Sequence, residues 1–301
     1  MNARPSAAGI AFGLAAYGIW GFFPLYFHQL AAVPPLDVLS HRALWACLFV
    51  ALLLVVTGGW GKVQALLRSP RHCGLLALAA LLVGSNWLIF LWAVGQKQVI
   101  ASSLGYFLTP LVNVLLGLLV LKERLSRYEW IAVGLALLAL VHEVLVLGSL
   151  PWISLALAAT FGTYGLVRKR VPAEALPGLW LETLAMLAFC LPYALWQASQ
   201  GHTVFAFGAG STVTLAEQAF LVGAGVLTAV PLLFFAAATR RLDLATVGML
   251  MYINPTLQFL TAVVVFNEAL QAARLLSFAL IWLGLAFFSV GLWQKTRRPR
   301  S

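Results

Sequence analysis

The sequence predicts an all-α polytopic membrane protein with ten transmembrane helices, arranged as two inverted five-helix repeats around a central cavity. Hydrophobic residues make up 62% of the 301 residues and charged residues only 9%. The mean hydropathy of +0.95 lies far above that of soluble domains. Apolar runs of about 20 residues, the length needed to cross a bilayer core as a helix, recur along the chain.

Each apolar run is expected to form a helix, because a backbone exposed to lipid must satisfy its own hydrogen bonds. The ten predicted spans are 7–29, 37–57, 73–94, 99–121, 128–147, 149–167, 176–197, 215–237, 244–266 and 273–293.

An internal repeat relates the two halves of the chain. Pro110 and Glu123 are 13 residues apart, and Pro255 and Glu268 repeat that spacing 145 residues downstream. Each copy holds five spans, an odd number, so the second copy enters the membrane from the opposite side. Inverted repeats are a recurring plan of secondary transporters.

The join between the copies is expected to be a tight turn near Gly148 and Pro151 rather than a linker. We therefore assign the first repeat to 1–147, the second to 148–293 and a basic cytoplasmic tail to 294–301.

The basic residues predict the orientation. The positive-inside rule predicts that both termini lie in the cytoplasm. We expect the chain to lie in the cytoplasmic (inner) membrane. With that orientation 16 of the 19 Lys and Arg residues lie in cytoplasmic segments, against Lys97 and Arg274 outside. The net charge of +10 is spread over short loops, so nucleic acid is not an expected partner.

Spans 4 and 9 carry matching polar stripes. Tyr106, Thr109 and Asn113 share one face of span 4, and Asn254 and Gln258 share one face of span 9. We predict that both stripes line a substrate cavity. The alternative is that these groups only hydrogen-bond packed helices to one another.

Further candidates for the cavity come from spans 1, 3 and 6. Tyr17 and Trp20 share a face of span 1, and Tyr164 of span 6 is the repeat equivalent of Trp20. Asn86 of span 3 is a polar residue inside an apolar run. Aromatic residues often only pack or anchor at interfaces, and packing is the expectation for Trp87 and Trp92.

Of the prolines that lie inside predicted spans, we assign helix kinks to three, Pro110, Pro231 and Pro255. A proline in mid-helix frees a backbone carbonyl, and broken helices at matching positions of two repeats point to a substrate site. The alternative is that these prolines only bend their helices.

Three ionisable residues are candidates for ion coupling: Glu182, His41 and Arg42. Glu182 could bind and release a proton as its access alternates, or it could simply stabilise a helix start. Arg42 either faces a functional interior or extends its long side chain to the headgroups.

Several short segments make the sequence similar to a known family: Tyr17-Gly18-Ile19-Trp20-Gly21, His41-Arg42, Gly84-Ser85-Asn86-Trp87, Ser103-Leu104-Gly105-Tyr106-Phe107, Pro110-Leu111-Val112-Asn113 and Tyr164-Gly165-Leu166-Val167-Arg168-Lys169. They resemble the RarD branch of the EamA transporters, in the drug/metabolite transporter superfamily, over nearly the whole chain. The resemblance implies ten helices in two inverted repeats around a central cavity. It also implies amino acids, other metabolites or drugs as substrates, often exported, and a structural role for Glu123 and Glu268.

We expect a secondary active transporter that exports a small organic metabolite or drug by alternating access, with proton coupling as one option. No Walker A motif is present. An enzyme is not expected, because the five histidines and two aspartates form no metal or catalytic pattern. A scaffold or sensor without transport is the other alternative.

No cofactor and no metal are expected. The expected partners are a small-molecule substrate and membrane lipids. The faces around Gly9 and Gly13 and those of spans 5 and 10 could form a homodimer interface, and contact with lipid explains these faces equally well.

Overall fold

The computed structural model describes residues 6–120, 122, 125–202, 204, 211–239, 241–242 and 244–297. These residues form α-helices and short connections, without a β-strand. Glu123, Arg240 and positions 298–301 of the predicted tail lie outside the described residues.

The helices follow one another with short connections. They are α1 (Ala7–Gly21), α2 (Phe23–His28), α3 (Pro35–Thr57), α4 (Trp60–Leu67), α5 (Pro70–Gly95), α6 (Val99–Val120), α7 (Arg127–Leu147), α8 (Trp152–Lys169), α9 (Ala175–Ser199), α10 (Leu215–Thr239), α11 (Leu244–Leu250), α12 (Ile253–Leu260), a π-helical turn (Thr261–Val265) and α13 (Ala272–Arg297).

Eight of the ten predicted spans are confirmed as helices long and apolar enough to cross a membrane. They are α1 with α2, α3, α5, α6, α7, α9, α10 and the first 20 residues of α13. Helix α4 was not predicted. It is a short helix between α3 and α5, held by the buried side chains of Val63 and Leu66.

The two remaining spans depart from the expectation. The span predicted over 149–167 is the 18-residue helix α8, which is less apolar because it carries polar side chains and ends at Arg168 and Lys169. The expectation of one continuous helix over 244–266 is wrong. The chain breaks between α11 and α12, just before Pro255, which has no N–H to donate to the preceding turn.

Local signals explain where helices begin and end. Ser126 and Glu129 form a reciprocal capping box at the start of α7, with the Ser126 N–H 2.7 Å from the Glu129 carboxylate. Gly148 ends α7 in the left-handed conformation, with φ of 65°, and Pro151 caps α8. The tight turn predicted between the repeats is therefore present.

The strongest helix contacts run between the two halves of the chain rather than within them. Helix α7 packs on α13, α6 on α8, α1 on α10 and α12, α3 on α9 and α10, and α5 on α8 and α9. The predicted repeats consequently form one interleaved body.

Glycines allow the closest approaches of backbones. A Cβ atom on Gly105 of α6 would lie 2.8 Å from the carbonyl oxygen of Ser154 in α8, and one on Gly225 of α10 would collide with the backbone of Trp45 in α3. Gly9 and Gly13 contact Leu242 and Leu250 of the same chain. Because that face is occupied internally, a homodimer would need another surface.

Candidate functional site

A cavity of about 690 Å³ lies between the helices of both halves. It is lined by side chains of α1, α2, α3, α5, α6, α8, α9, α10 and α12. The structure places around it all nine residues that the sequence assigned to a cavity: Tyr17, Trp20, Asn86, Tyr106, Thr109, Asn113, Tyr164, Asn254 and Gln258. Their role in binding a substrate stays a prediction.

The cavity opens at one end of the helix bundle. Its lining includes Arg168 and Lys169 at the end of α8, Glu174 and Ala175 at the start of α9, and Thr239 at the end of α10. We call this end the basic side. Among the described residues, none of the lining side chains comes from the connections at the opposite end.

Direct contacts between α6 and α12 close the opposite end. The Ser103 hydroxyl donates to the carbonyl oxygen of Pro255 at 2.8 Å, and the Ser102 hydroxyl reaches the Gln258 side-chain oxygen at 3.5 Å. All four residues are buried or nearly so. Opening this end would require breaking both contacts.

Glu268 reinforces the closure. Its two carboxylate oxygens accept hydrogen bonds from the backbone N–H groups of Val99 and Ile100, at 2.6 and 2.8 Å. The carboxylate thereby caps the start of α6 from the other half of the chain, where the helix dipole also favours a negative charge. Burial raises the pKa of the Glu268 carboxyl, while the two backbone hydrogen bonds oppose that shift. This arrangement fits the structural role expected for Glu268.

Arg42 lies inside the protein and lines the cavity. Only 2% of its surface is exposed, so the alternative in which it extends to the headgroups is wrong. Its guanidinium lies 3.8 Å from the ring centre of Trp87, with the rings of Phe23 and Phe27 at 5.4 and 5.1 Å. Its Nε donates to the Thr228 hydroxyl at 2.7 Å. Trp87 therefore does more than pack, because it supports a buried cation.

Glu182 lies at the mouth of the cavity and is almost fully buried. Nε of Arg168 is 2.8 Å from Oε1 of Glu182, and the Tyr164 hydroxyl donates to Oε2 at 3.3 Å. Arg168 was not among the residues predicted to line the cavity or to couple ions, so its role here was missed. Arg168 lies 14 residues before Glu182 and on another helix, so the spacing in the sequence gave no signal for this pair.

Asn86 joins three helices. Its amide nitrogen donates to the Leu157 carbonyl and the Thr160 hydroxyl, each at 3.0 Å, and its oxygen accepts from Tyr106 at 3.0 Å. For Asn86 the alternative of a bridge between helices therefore describes the observed contacts. Asn113 differs because its side chain is exposed to the cavity.

Gln258 and Asn254 form a pair within α12. The Gln258 amide nitrogen donates to the Asn254 side-chain oxygen at 2.8 Å. Gln258 is buried, and Asn254 is partly exposed at the cavity surface. This pair orients a carboxamide stripe in the second half opposite the polar stripe of α6.

Aromatic rings form the apolar part of the wall. Tyr17, Trp20 and Phe235 contact one another, with ring centres 5.5 to 6.0 Å apart. Phe235 was not predicted, although it is the repeat equivalent of Phe90, and both line the cavity. Trp92 packs against Trp152 at 5.2 Å, outside the lining, as expected for a packing residue.

The remaining predicted residues are His41 and the three prolines, and they differ in where they lie. His41 is buried but does not line the cavity, and its Nδ1 accepts a hydrogen bond from the Trp45 indole at 3.2 Å. Pro110 and Pro231 lie inside the continuous helices α6 and α10, whereas Pro255 directly follows the break before α12. Of the two copies, only the second has a broken helix at the matched proline.

Comparison with known proteins gives a consistent result. Residues 7–142 match the EamA-like transporter family. An uncharacterised transporter of Pseudomonas aeruginosa is 45% identical over 290 residues, which cover 96% of each chain. The protein RarD of Salmonella typhi is 42% identical over 293 residues, again 96% of each chain.

A solved crystal structure shares the fold. It aligns with 95% of this chain and 99% of its own, with a TM-score of 0.59 and 22% sequence identity.

Proposed function

This chain belongs to the EamA-like transporter family, as a RarD-like, multi-pass membrane protein, and from that premise we propose that it is a secondary active transporter of a small organic molecule. It carries this molecule outward across the cytoplasmic membrane by alternating access. It uses no ATP directly.

One observation carries the proposal: a cavity of about 690 Å³, lined from both halves, opens at the basic side and is closed at the other. Such a volume suits a small organic ligand. The positive-inside rule puts the basic side in the cytoplasm, so this conformation is ready to take up a cytoplasmic molecule.

The pattern of helix contacts supports an inverted repeat of ten spans. If the two halves are exchanged, the α6–α8 contact maps onto α1 with α12, and the α5–α8 contact maps onto α1 with α10. The α3–α10 contact likewise maps onto α5 with α9. Two halves related in this way can exchange conformations and so expose the same cavity on the other side.

In the outward-open conformation, the contacts of Ser103 with Pro255 and of Glu268 with α6 would separate. At the same time the basic side would close around the Arg168–Glu182 pair. Glu182 is our candidate for proton coupling, because it is a buried carboxyl next to the cavity and would change its surroundings during this exchange.

The test compares the small molecules released by cells that lack the protein with those released by cells that overproduce it. We expect at least one compound to accumulate outside overproducing cells and to fall in the deletion strain. Loading that compound into vesicles with the purified protein must then give transport. Equal release by both strains and no transport in vesicles would contradict the proposal.

A further inference from the structure

The structure assigns to the cavity an anion site built on Arg42, and we propose that the substrate is an organic carboxylate with a single negative charge and an apolar or aromatic body. This inference rests on the proposed function, because it names the substrate class of the same cavity.

Arg42 is a buried positive charge in the wall of the cavity. Its guanidinium is buried, yet among the described residues no carboxylate lies within ion-pair distance of it. Within the part of the chain that the structure describes, only Nε has a hydrogen-bond acceptor, the Thr228 hydroxyl, and Nη1 is buried without a partner. A buried charge without a counter-ion is costly, and an anionic ligand would relieve that cost.

The carboxylates of the cavity wall bear on the charge that a substrate can carry. The two that line it already have cationic partners, since Glu182 pairs with Arg168 at 2.8 Å and Glu174 with Lys62 at 2.7 Å. A substrate ammonium group would thus find no unpaired carboxylate among the described residues. This favours a simple carboxylate over an amino acid or an amine.

The aromatic residues around Arg42 indicate what the body of the ligand is like. The guanidinium carbon lies 3.8 Å from the ring centre of Trp87, and Nη1 has no hydrogen-bond partner among the described residues. Nη1 is therefore available to donate to a carboxylate, a group that arginine often binds through two N–H groups. Trp20, Tyr17 and Phe235 supply aromatic surface within the same cavity. Lys169 also lines the cavity but is exposed at its mouth, so Arg42 is the buried cation that a ligand inside the cavity would meet. One buried positive charge suits one negative charge better than the two charges of a phosphate monoester.

The test measures binding of four matched probes to the purified full chain by calorimetry: phenylacetate, phenylacetamide, phenethylamine and phenyl phosphate. We expect phenylacetate to bind about tenfold more tightly than phenylacetamide, as for a hydrogen bond to a charged group. Phenethylamine should bind more weakly than either. Arg42→Met should abolish the preference for the acid, and Arg42→Lys should keep only part of it.

Arg71→Met is the matched control, because it removes one exposed positive charge far from the cavity lining and should leave the preference intact. If Arg42→Met does not fold, Thr228→Val serves instead. It removes the hydrogen-bond acceptor of the Arg42 Nε. We expect it to weaken the binding of phenylacetate several-fold and to leave the binding of phenylacetamide unchanged.

Equal binding of the acid and the amide, including binding of neither, would overturn the anion site, as would tighter binding of phenyl phosphate. The release experiment separates the two proposals. A transported compound that is neutral or cationic would leave the transporter proposal standing and remove the anion site.

Discussion

Nε of Arg168, at the end of α8, lies 2.8 Å from Oε1 of Glu182 in the second turn of α9, where the cavity opens to the basic side. Both residues line the cavity, and Glu182 is almost fully buried. The pair thus joins two helices at the mouth through which a cytoplasmic substrate would pass. Any closure of this mouth must act on it, which makes the pair the first target for experiments.

Replacing Glu182 by Gln should abolish the dependence of transport on a pH gradient, because an amide cannot bind and release a proton. Transport down the gradient of the substrate itself should continue. The measurement is uptake into vesicles with and without an imposed pH gradient. Glu174→Gln is the control, since Glu174 lies at the same mouth but is exposed. Unchanged gradient dependence in Glu182→Gln would eliminate it as the proton carrier.

Replacing Gly178 by Ala should displace the Arg168 guanidinium, because the added methyl group would collide with Nη2 of Arg168. We expect a several-fold slower transport with little loss of stability, since the displaced atoms are the end of a long side chain. Gly134→Ala is the control, as a Cβ there meets nothing within 4 Å. Equal transport by both variants would argue against a role for the Arg168 position.

Three substitutions at the cavity surface, Asn113→Ala, Gln258→Ala and Trp20→Ala, should impair transport while the protein still reaches the membrane. Each removes a side chain that lines the cavity. The measurement is transport per amount of protein in the membrane. Trp92→Phe is a useful control, because Trp92 packs outside the lining. Normal transport in all three variants would refute the assignment of the cavity.

Asn86→Ala should behave differently from Asn113→Ala, although both are asparagines of the same cavity. Asn86 makes three hydrogen bonds across helices, and its loss leaves the Tyr106 hydroxyl and the Leu157 carbonyl without this partner. We expect a loss of about 1–3 kcal/mol in the free energy of unfolding. Thermal unfolding in detergent measures this, and a loss as small as that of Asn113→Ala would contradict the bridging role.

Gly225→Ala should destabilise the protein, because a methyl group at this position would collide with the backbone of Trp45 where α10 crosses α3. A backbone cannot move as a flexible side chain can, so we expect a cost of about 1–3 kcal/mol. Gly134→Ala is again the control and should be neutral or slightly stabilising. An unchanged unfolding temperature for Gly225→Ala would show that α3 and α10 can separate without cost.

The break in the ninth span is a feature that could not be predicted from the sequence. The apolar run over 244–266 was visible, and so was Pro255, but the effect of a proline depends on its neighbours. Pro110 stands at the equivalent place in α6, which continues as one helix, whereas the chain breaks before Pro255. The Ser103 hydroxyl binds the Pro255 carbonyl from another helix, and such a partner cannot be identified from spacing alone.

The sequence by itself determined the membrane character, eight of the spans, the turn at Gly148 and nine of the residues that meet around the cavity. These follow from local hydropathy, helical periodicity and the repeat, which are all properties of neighbouring positions. Only the tertiary structure decided that Arg42 is buried on Trp87 with Thr228 as acceptor, and that Arg168 pairs with Glu182. A buried charge interacts with the groups that lie next to it in space, and in this protein those groups come from helices that are distant in the sequence. Spacing along the chain therefore could not identify them.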